Sequence, residues 1–320
     1  MSDRLVLALD GSTRVCGAAL LRLRPSGGLH ESRWETVTRR VEIDSRGQAK
    51  ILLRLVDEMI GETGDNPESL GAIVVGIGPG TFTGVRIAVA TARAMSLALA
   101  VPVLGVSTLG ALAARAVTSM DDAIVGATPH TAVAAHTAAR LLVPVVDARR
   151  DQVFFGLYGA TDGVGGSEGR RWARSAEFGV CDREALGGLV AEEVARRLEA
   201  DGERGMGHFP RIALVVGEDR VLAGRLPAGV AFTAADVEAE RLVIGQERLD
   251  EPGDALQGAR LTPWLVETLA AGRPAAPSSD GGIGRPGTPE AVKPIYVRSP
   301  DADIHITKMR DPWAESHGEL

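Results

Sequence analysis

The sequence predicts an α/β protein made of two copies of one motif, in two domains. An apolar run, Leu5 to Leu9, ends at Asp10 and turns through Gly11-Ser12-Thr13-Arg14 into a second apolar run, Val15 to Leu23. The same order returns as Leu141 to Val146, Asp147, a turn over Ala148 to Gln152, and Val153 to Tyr158. Short apolar runs bounded by turn residues read as buried strands. A strand–acid–turn–strand unit that recurs, each time followed by helix and strand, reads as a duplicated α/β domain. The 320 residues suit two domains, with 45% hydrophobic residues to fill a sizeable core. Aromatics make up only 4%, so that core is mostly Val, Leu, Ile and Ala.

The elements follow in order. Arg33 to Ile43 alternates and reads as a third strand. Gln48 to Ile60 is a helix with Leu52, Leu55, Val56 and Met59 inward. Ala72 to Ile77 is a strand, closed by the turn Gly78-Pro79-Gly80. The helix that follows, Phe82 to Ala100, lacks proline and has Gly84 as its single glycine. Thr81 or Thr83 is placed to cap its first turn. Val85, Ala88, Val89, Ala92, Met95 and Leu99 share one stripe, and Ile87, Ala90, Ala94 and Leu97 the opposite one. Arg86 and Arg93 share a narrow edge. A helix apolar on all sides needs cover on both. One cover is its own sheet; the other is either more of the same core or a second protein. Val103 to Val106 is a strand, and Ser107 caps a helix over Leu109 to Val117.

In the second copy, Arg183 to Ala200 reads as a helix, Ile212 to Val216 as a strand and Ala255 to Ala270 as a helix. Residues 1–108 form the first domain and 109–320 the second. Flexible segments are expected at 119–139, at the glycine-rich tip 163–169 and at the Pro/Gly/Ser-rich 272–289, with a polar tail from Asp301.

Charge and composition narrow the function. The net charge of −7 disfavours unassisted binding of nucleic-acid phosphates over the whole surface. The only lysines are Lys50, Lys293 and Lys308, an arginine bias that reads as coding composition. Cys16 and Cys181 have no pairing signature, which suits a reduced, cytoplasmic protein. Asp3, Arg4 and Asp10 interrupt any apolar leader, and charge interrupts every window long enough to span a membrane.

Two features bear on chemistry. Glycines before a helix N-terminus can cradle an anion, but no Lys-Ser or Lys-Thr follows Gly78 and Gly80, so the turn is not a Walker loop. Nor does it match the dinucleotide pattern; a tight turn needing φ > 0 is the plainer reading. Asp10 and Asp147, with Ser12, Thr13 and Arg149, are candidate remnants of a nucleotide site, where such acids would position a metal-bound phosphate or a water. The plainer alternative is that each acid ends a strand and accepts turn N–H groups. Arg149 and Arg150 suit an anion, a partner carboxylate or plain solvation. The histidines His30, His130, His136, His208, His305 and His317 include no pair four apart, so no metal-ligating helical pair is predicted. No G-x-S-x-G elbow supports a peptidase.

The duplicated pattern resembles the actin-like and sugar-kinase-like superfamily (ASKHA, ribonuclease H-like), whose two hairpin turns face a nucleotide between the halves. LALDGSTRVCGAAL, GIGPGTFTGVRIAVATARAMSLALAVPVLGVSTL, VPVVDARRDQVFFGLY and PIYVRSPDADI resemble, in order and spacing, the TsaB (YeaZ) family of bacterial tRNA threonylcarbamoyladenosine biosynthesis proteins. The match is dense in the first half and thin in the second.

The resemblance implies a non-catalytic relative of TsaD, the subunit that transfers threonylcarbamoyl to adenosine 37 of tRNAs reading ANN codons. It implies a heterodimer with TsaD through helices of the first domain, with the ATPase TsaE joining the pair. It further implies ATP and Mg used by the complex with no intrinsic cofactor or metal, tRNA met only through the complex, and homodimers through the same surface. On this chain the surface would comprise Arg86, Ile87, Ala90, Arg93, Ala94 and Leu97 with Lys50, Leu53 and Arg54. Where many relatives carry His-x-Glu at the start of the first helix, this chain has Gln48 and Lys50. The alternative class is a free-standing ATP-dependent phosphotransferase of the sugar-kinase type, which would need a metal-assisted site between Asp10 and Asp147.

Overall fold

The computed structural model describes residues 4–24, 33–43, 48–126, 139–161, 171–202, 212–218, 230–244, 246, 249–250, 265, 268–269 and 287–297. In the first half, β1 (Leu5–Asp10), β2 (Val15–Arg24) and β3 (Arg33–Ile43) are followed by α1 (Gln48–Thr63), β4 (Leu70–Gly76), α2 (Phe82–Leu99), β5 (Val103–Val106) and α3 (Thr108–Gly126). The strands form one sheet in the order β3-β2-β1-β4-β5. β1, β2 and β3 are antiparallel neighbours, whereas β4 and β5 run parallel to β1.

The second half contains β6 (Ala139–Arg149), β7 (Gln152–Phe155), β8 (Tyr158–Thr161), β9 (Arg171–Arg174) and β10 (Gly179–Asp182). It continues with α4 (Leu186–Gly202), β11 (Ile212–Gly217), β12 (Val230–Ala234) and β13 (Leu249–Asp250). β10 pairs antiparallel with β7, β7 antiparallel with β6, β6 parallel with β11, and β11 parallel with β12. This path repeats the first sheet strand for strand, and α4 occupies the place of α1, between its unit's third and fourth strands. The duplication is therefore real in three dimensions. β8 and β9 are additions that extend the second sheet.

Burial on both faces explains why the strands read as unbroken apolar runs. Leu5, Leu7, Leu9, Ile73 and Val75 point to α1 and α2. Val6, Ala8, Ala72 and Val74 point the other way, to α3, whose Ala111, Ala113, Ala114 and Val117 share one cluster with Leu142, Val146, Leu214 and Val216 of the second sheet. The far face of that sheet, including Leu141, Val143 and Val215, packs on Leu186 and Val190 at the start of α4. The layers thus run helices, sheet, α3, sheet, helix.

Several expectations need correction. α3 continues to Gly126 instead of stopping at Val117, so residues 119–126 are helical rather than loop. No proline intervenes before Pro129, and Thr118 Oγ1 bonds back to Ala114 and Arg115 carbonyls without breaking the helix. The run Val153 to Tyr158 is divided by Gly156 and Leu157 into β7 and β8. The helix expected from Arg183 opens as a 3-10 turn, Arg183–Ala185. Strands β9, β10, β12 and β13 were not anticipated. Of Ala255 to Ala270, residues 265, 268 and 269 are described and helical, with Leu265 and Leu269 buried. The expected flexible tip at 163–169, residues 272–286 and the tail from Asp301 lie outside the described residues, as do all six histidines. Residues 287–297 return to the first sheet: Val103 N–H donates to the Gly287 carbonyl at 3.1 Å, Ile295 N–H to that of Ile77 at 2.8 Å, and Val292 is buried beside α2.

Candidate functional site

Asp10 ends β1 with its carboxyl fully enclosed at 1% exposure. Its Oδ1 accepts the Ser12 N–H at 3.0 Å and the Ser12 hydroxyl at 2.8 Å. Its Oδ2 lies over Gly76 of the neighbouring β4, where a Cβ would sit 1.8 Å from that oxygen. Burial raises the Asp10 carboxyl to about 6, against the lowering effect of the Ser12 bonds. Asp147 repeats the turn in the second copy: its Oδ1 accepts the Arg149 N–H at 2.8 Å. Its carboxylate also meets Arg183 at 3.5 Å and Arg149 at 3.9 Å.

The two turns do face each other. A cavity of about 20 Å³ between them is lined by Thr13 and Arg14 from one and by Val146, Asp147 and Arg149 from the other, with Thr81 and Glu218. That volume holds a water or so, and Asp10 is not among its walls. The superfamily implies a nucleotide and a metal here, and the residues do not fit them. Asp10 is turned inward onto Ser12, Asp147 is paired with Arg149 and Arg183, and a cavity that holds about one water has no room for a nucleotide. Of the predicted remnants, Ser12 is buried inside its own turn, Thr13 is buried at the cavity wall, and Arg149 is exposed.

The glycine turn aims α2. Gly78 takes φ 91°, and a Cβ on Gly80 would come within 2.1 Å of the Ser12 carbonyl oxygen. Thr81 occupies the N-cap position, but neither Thr81 nor Thr83 caps by its side chain as expected. Instead, Thr81 N–H donates to the Ser12 carbonyl at 2.6 Å, tying the start of α2 to the β1–β2 turn.

The second surface is formed by α1 and α2, which lie side by side on the first sheet. On α2, Val85, Ala88, Val89 and Ala92 are buried, as expected, and Met95 and Leu99 partly so. The opposite stripe faces outward: Ala90 and Ala94 are exposed, Leu97 is 63% exposed and Ile87 and Arg93 are half-buried. On α1, Lys50 and Arg54 are exposed and Leu53 is 51% exposed. Arg54 pairs with Glu58 at 2.7 Å and with Glu42. Arg86 lies 3.7 Å above the Phe82 ring and donates to the Tyr296 hydroxyl at 2.8 Å. Phe82 and Tyr296, both partly exposed, stack at 5.7 Å. Sequence reasoning missed this aromatic pair; the only signal was the PIYVR string. By length and composition Phe82–Leu99 also passes the test for a membrane span, yet it carries two arginines and packs its inner stripe on a sheet.

The duplicated sheets, the helices between and outside them and the paired acid turns fit the actin-like, ribonuclease H-like class. The structure of YeaZ from Pseudomonas aeruginosa covers 92% of this chain and 99% of its own, with a TM-score of 0.52 and 24% identity, a likeness of fold. In sequence, the chain is similar to the tRNA threonylcarbamoyladenosine biosynthesis protein TsaB of Haemophilus influenzae, 29% identical over 155 residues, 48% of this chain and 54% of that one. It is 32% identical over 110 residues to TsaB of Escherichia coli, 34% of this chain and 42% of that one. These alignments span about half the length of the relatives they match. The family described as TsaD, tRNA N6-adenosine threonylcarbamoyltransferase, matches residues 42–167. Together these likenesses place TsaB (YeaZ) proteins among the relatives of this chain.

Proposed function

We propose that the chain acts in the synthesis of N6-threonylcarbamoyladenosine at position 37 of ANN-decoding tRNAs. Its role is that of a non-catalytic subunit that docks on a TsaD-type transferase through α1 and α2. The observation that carries this is the outward stripe of α2. Ile87, Ala90, Ala94 and Leu97 leave an apolar face uncovered beside Leu53 of α1, and such a face marks an interface. The small alanines let a partner helix approach closely. The pathway comes from the relatives, which are tRNA threonylcarbamoyladenosine biosynthesis proteins. The narrow space between the acid turns supports an accessory role over nucleotide turnover of its own.

In this reading TsaE joins the pair, ATP and Mg are used by the complex, tRNA is met only there, the setting is the cytoplasm, and a second copy of the chain competes for the same face. The test is co-purification with TsaD from the same cell. Ala90→Glu and Leu97→Asp are expected to reduce pairing at least about tenfold, since each buries a charge in an apolar contact, while leaving the folded circular-dichroism spectrum intact. Undiminished pairing by both variants would overturn the assignment of this surface. Magnesium-dependent ATP binding with turnover by the isolated chain would instead favour a phosphotransferase.

A further inference from the structure

We propose that Arg14 is a charge latch that holds the two halves of the molecule closed. Arg14 ends the first hairpin turn, and its guanidinium reaches across to the second half: Nε lies 3.5 Å from Glu218 and Nη2 3.4 Å from Asp236. Glu218 and Asp236 follow β11 and β12, so both acids stand at the ends of parallel strands that point to the same place. Glu218 is 5% exposed. A carboxylate that deep is held as an anion only by a countercharge, and removing one partner of such a pair costs more than removing both.

The contacts beside the latch reinforce it. Arg39 of β3 bonds to the buried Glu240 at 2.6 Å, and Arg115 of α3 pairs with Glu238. These arginines therefore meet acids of the segment 236–240 that continues from β12. Arg14 differs from the others because it lines both the cavity between the acid turns and a neighbouring space of about 190 Å³, walled by Arg115, Glu218, Asp236 and Glu238. Swinging Arg14 away would join the two spaces and leave Glu218 without this partner. Closure is thereby set by charges internal to the chain.

Hydrogen exchange on the full chain tests the latch. Arg14→Met is expected to speed exchange about tenfold in residues 11–15 and 212–218, with α1 and α2 unchanged. The double variant Arg14→Met/Glu218→Met is expected to recover protection close to the parent, because the buried charge has gone with its partner. If Arg14→Met does not fold, Glu218→Gln replaces it and is expected to speed exchange in residues 11–15. Unchanged exchange in the single variant measured, or a double variant as loose as the single, overturns the proposal.

Discussion

At the scale of single residues, the decisive feature is a carboxyl group walled in by missing side chains. Gly76 leaves room for Asp10 Oδ2, and Gly80 leaves room for the Ser12 carbonyl. Gly80→Ala is therefore expected to cost about 1–3 kcal/mol by overpacking, read from urea midpoints. Asp10 also predicts a pH dependence. Its folded carboxyl titrates near 6 and its unfolded one at 3.8. The proton it holds thus stabilises the fold fully below about 4, and that benefit is lost as pH rises through 6. Asp10→Asn keeps the acceptor for Ser12 and should flatten this window, gaining up to about 3 kcal/mol at pH 7.5 relative to pH 4. An unaltered slope in urea melts between pH 4 and 7 would show that another group titrates. The sequence announced that Asp10 ends a strand and accepts turn N–H groups. It could not announce the depth of the site, because the wall belongs to β4, some sixty residues on.

At the scale of elements, long apolar runs and helical stripes were legible, and strands made by their neighbours were not. Arg171–Arg174 and Gly179–Asp182 have no apolar run of their own; cross-strand pairing to β8 and β7 makes them strands. The duplication itself was the overlooked signal. A second copy of the unit requires counterparts to β3 and β5, which are β10 and β12. The β6–β7 hairpin carries its own cost. Arg149, Arg150 and Asp151 all have positive φ, 65°, 53° and 56°, in a conformation usually given to Asn or Gly. Arg150→Asn with Asp151→Gly should stabilise the protein by about 1–2 kcal/mol in chemical denaturation, since the Arg183 N–H to Asp151 carbonyl bond survives the change. The outer stripe of α2 follows the same logic from the other side. Its helical period was plain from the sequence, but only the packed structure separates a stripe covered by a sheet from one left uncovered.

At the scale of the molecule, α3 is the shared middle layer. Its Ala111, Ala113 and Ala114 are at most 1% exposed, between two sheets that both need small residues there. Ala113→Leu should therefore destabilise by about 1–3 kcal/mol and do so for both halves together, seen as one shifted transition by fluorescence and circular dichroism. Two separated transitions would show that the halves melt independently. The two-copy plan was readable from Asp10 and Asp147 together with the apolar runs that flank each of them. The ion pairs that join the copies were not, because Arg14, Arg39 and Arg115 meet acids more than a hundred residues away, and nothing local marks those partners.

The return of residues 287–297 to the first sheet has a consequence for the order of events during synthesis. Val292 and Ile295 complete the core under α2, and Ile77 receives its bond from Ile295. The first half is translated early, yet the ribosome must deliver residues 287–297 before that core is closed. Until then the unit made first stays unfinished, with its aromatic clasp of Phe82, Arg86 and Tyr296 waiting for its last member.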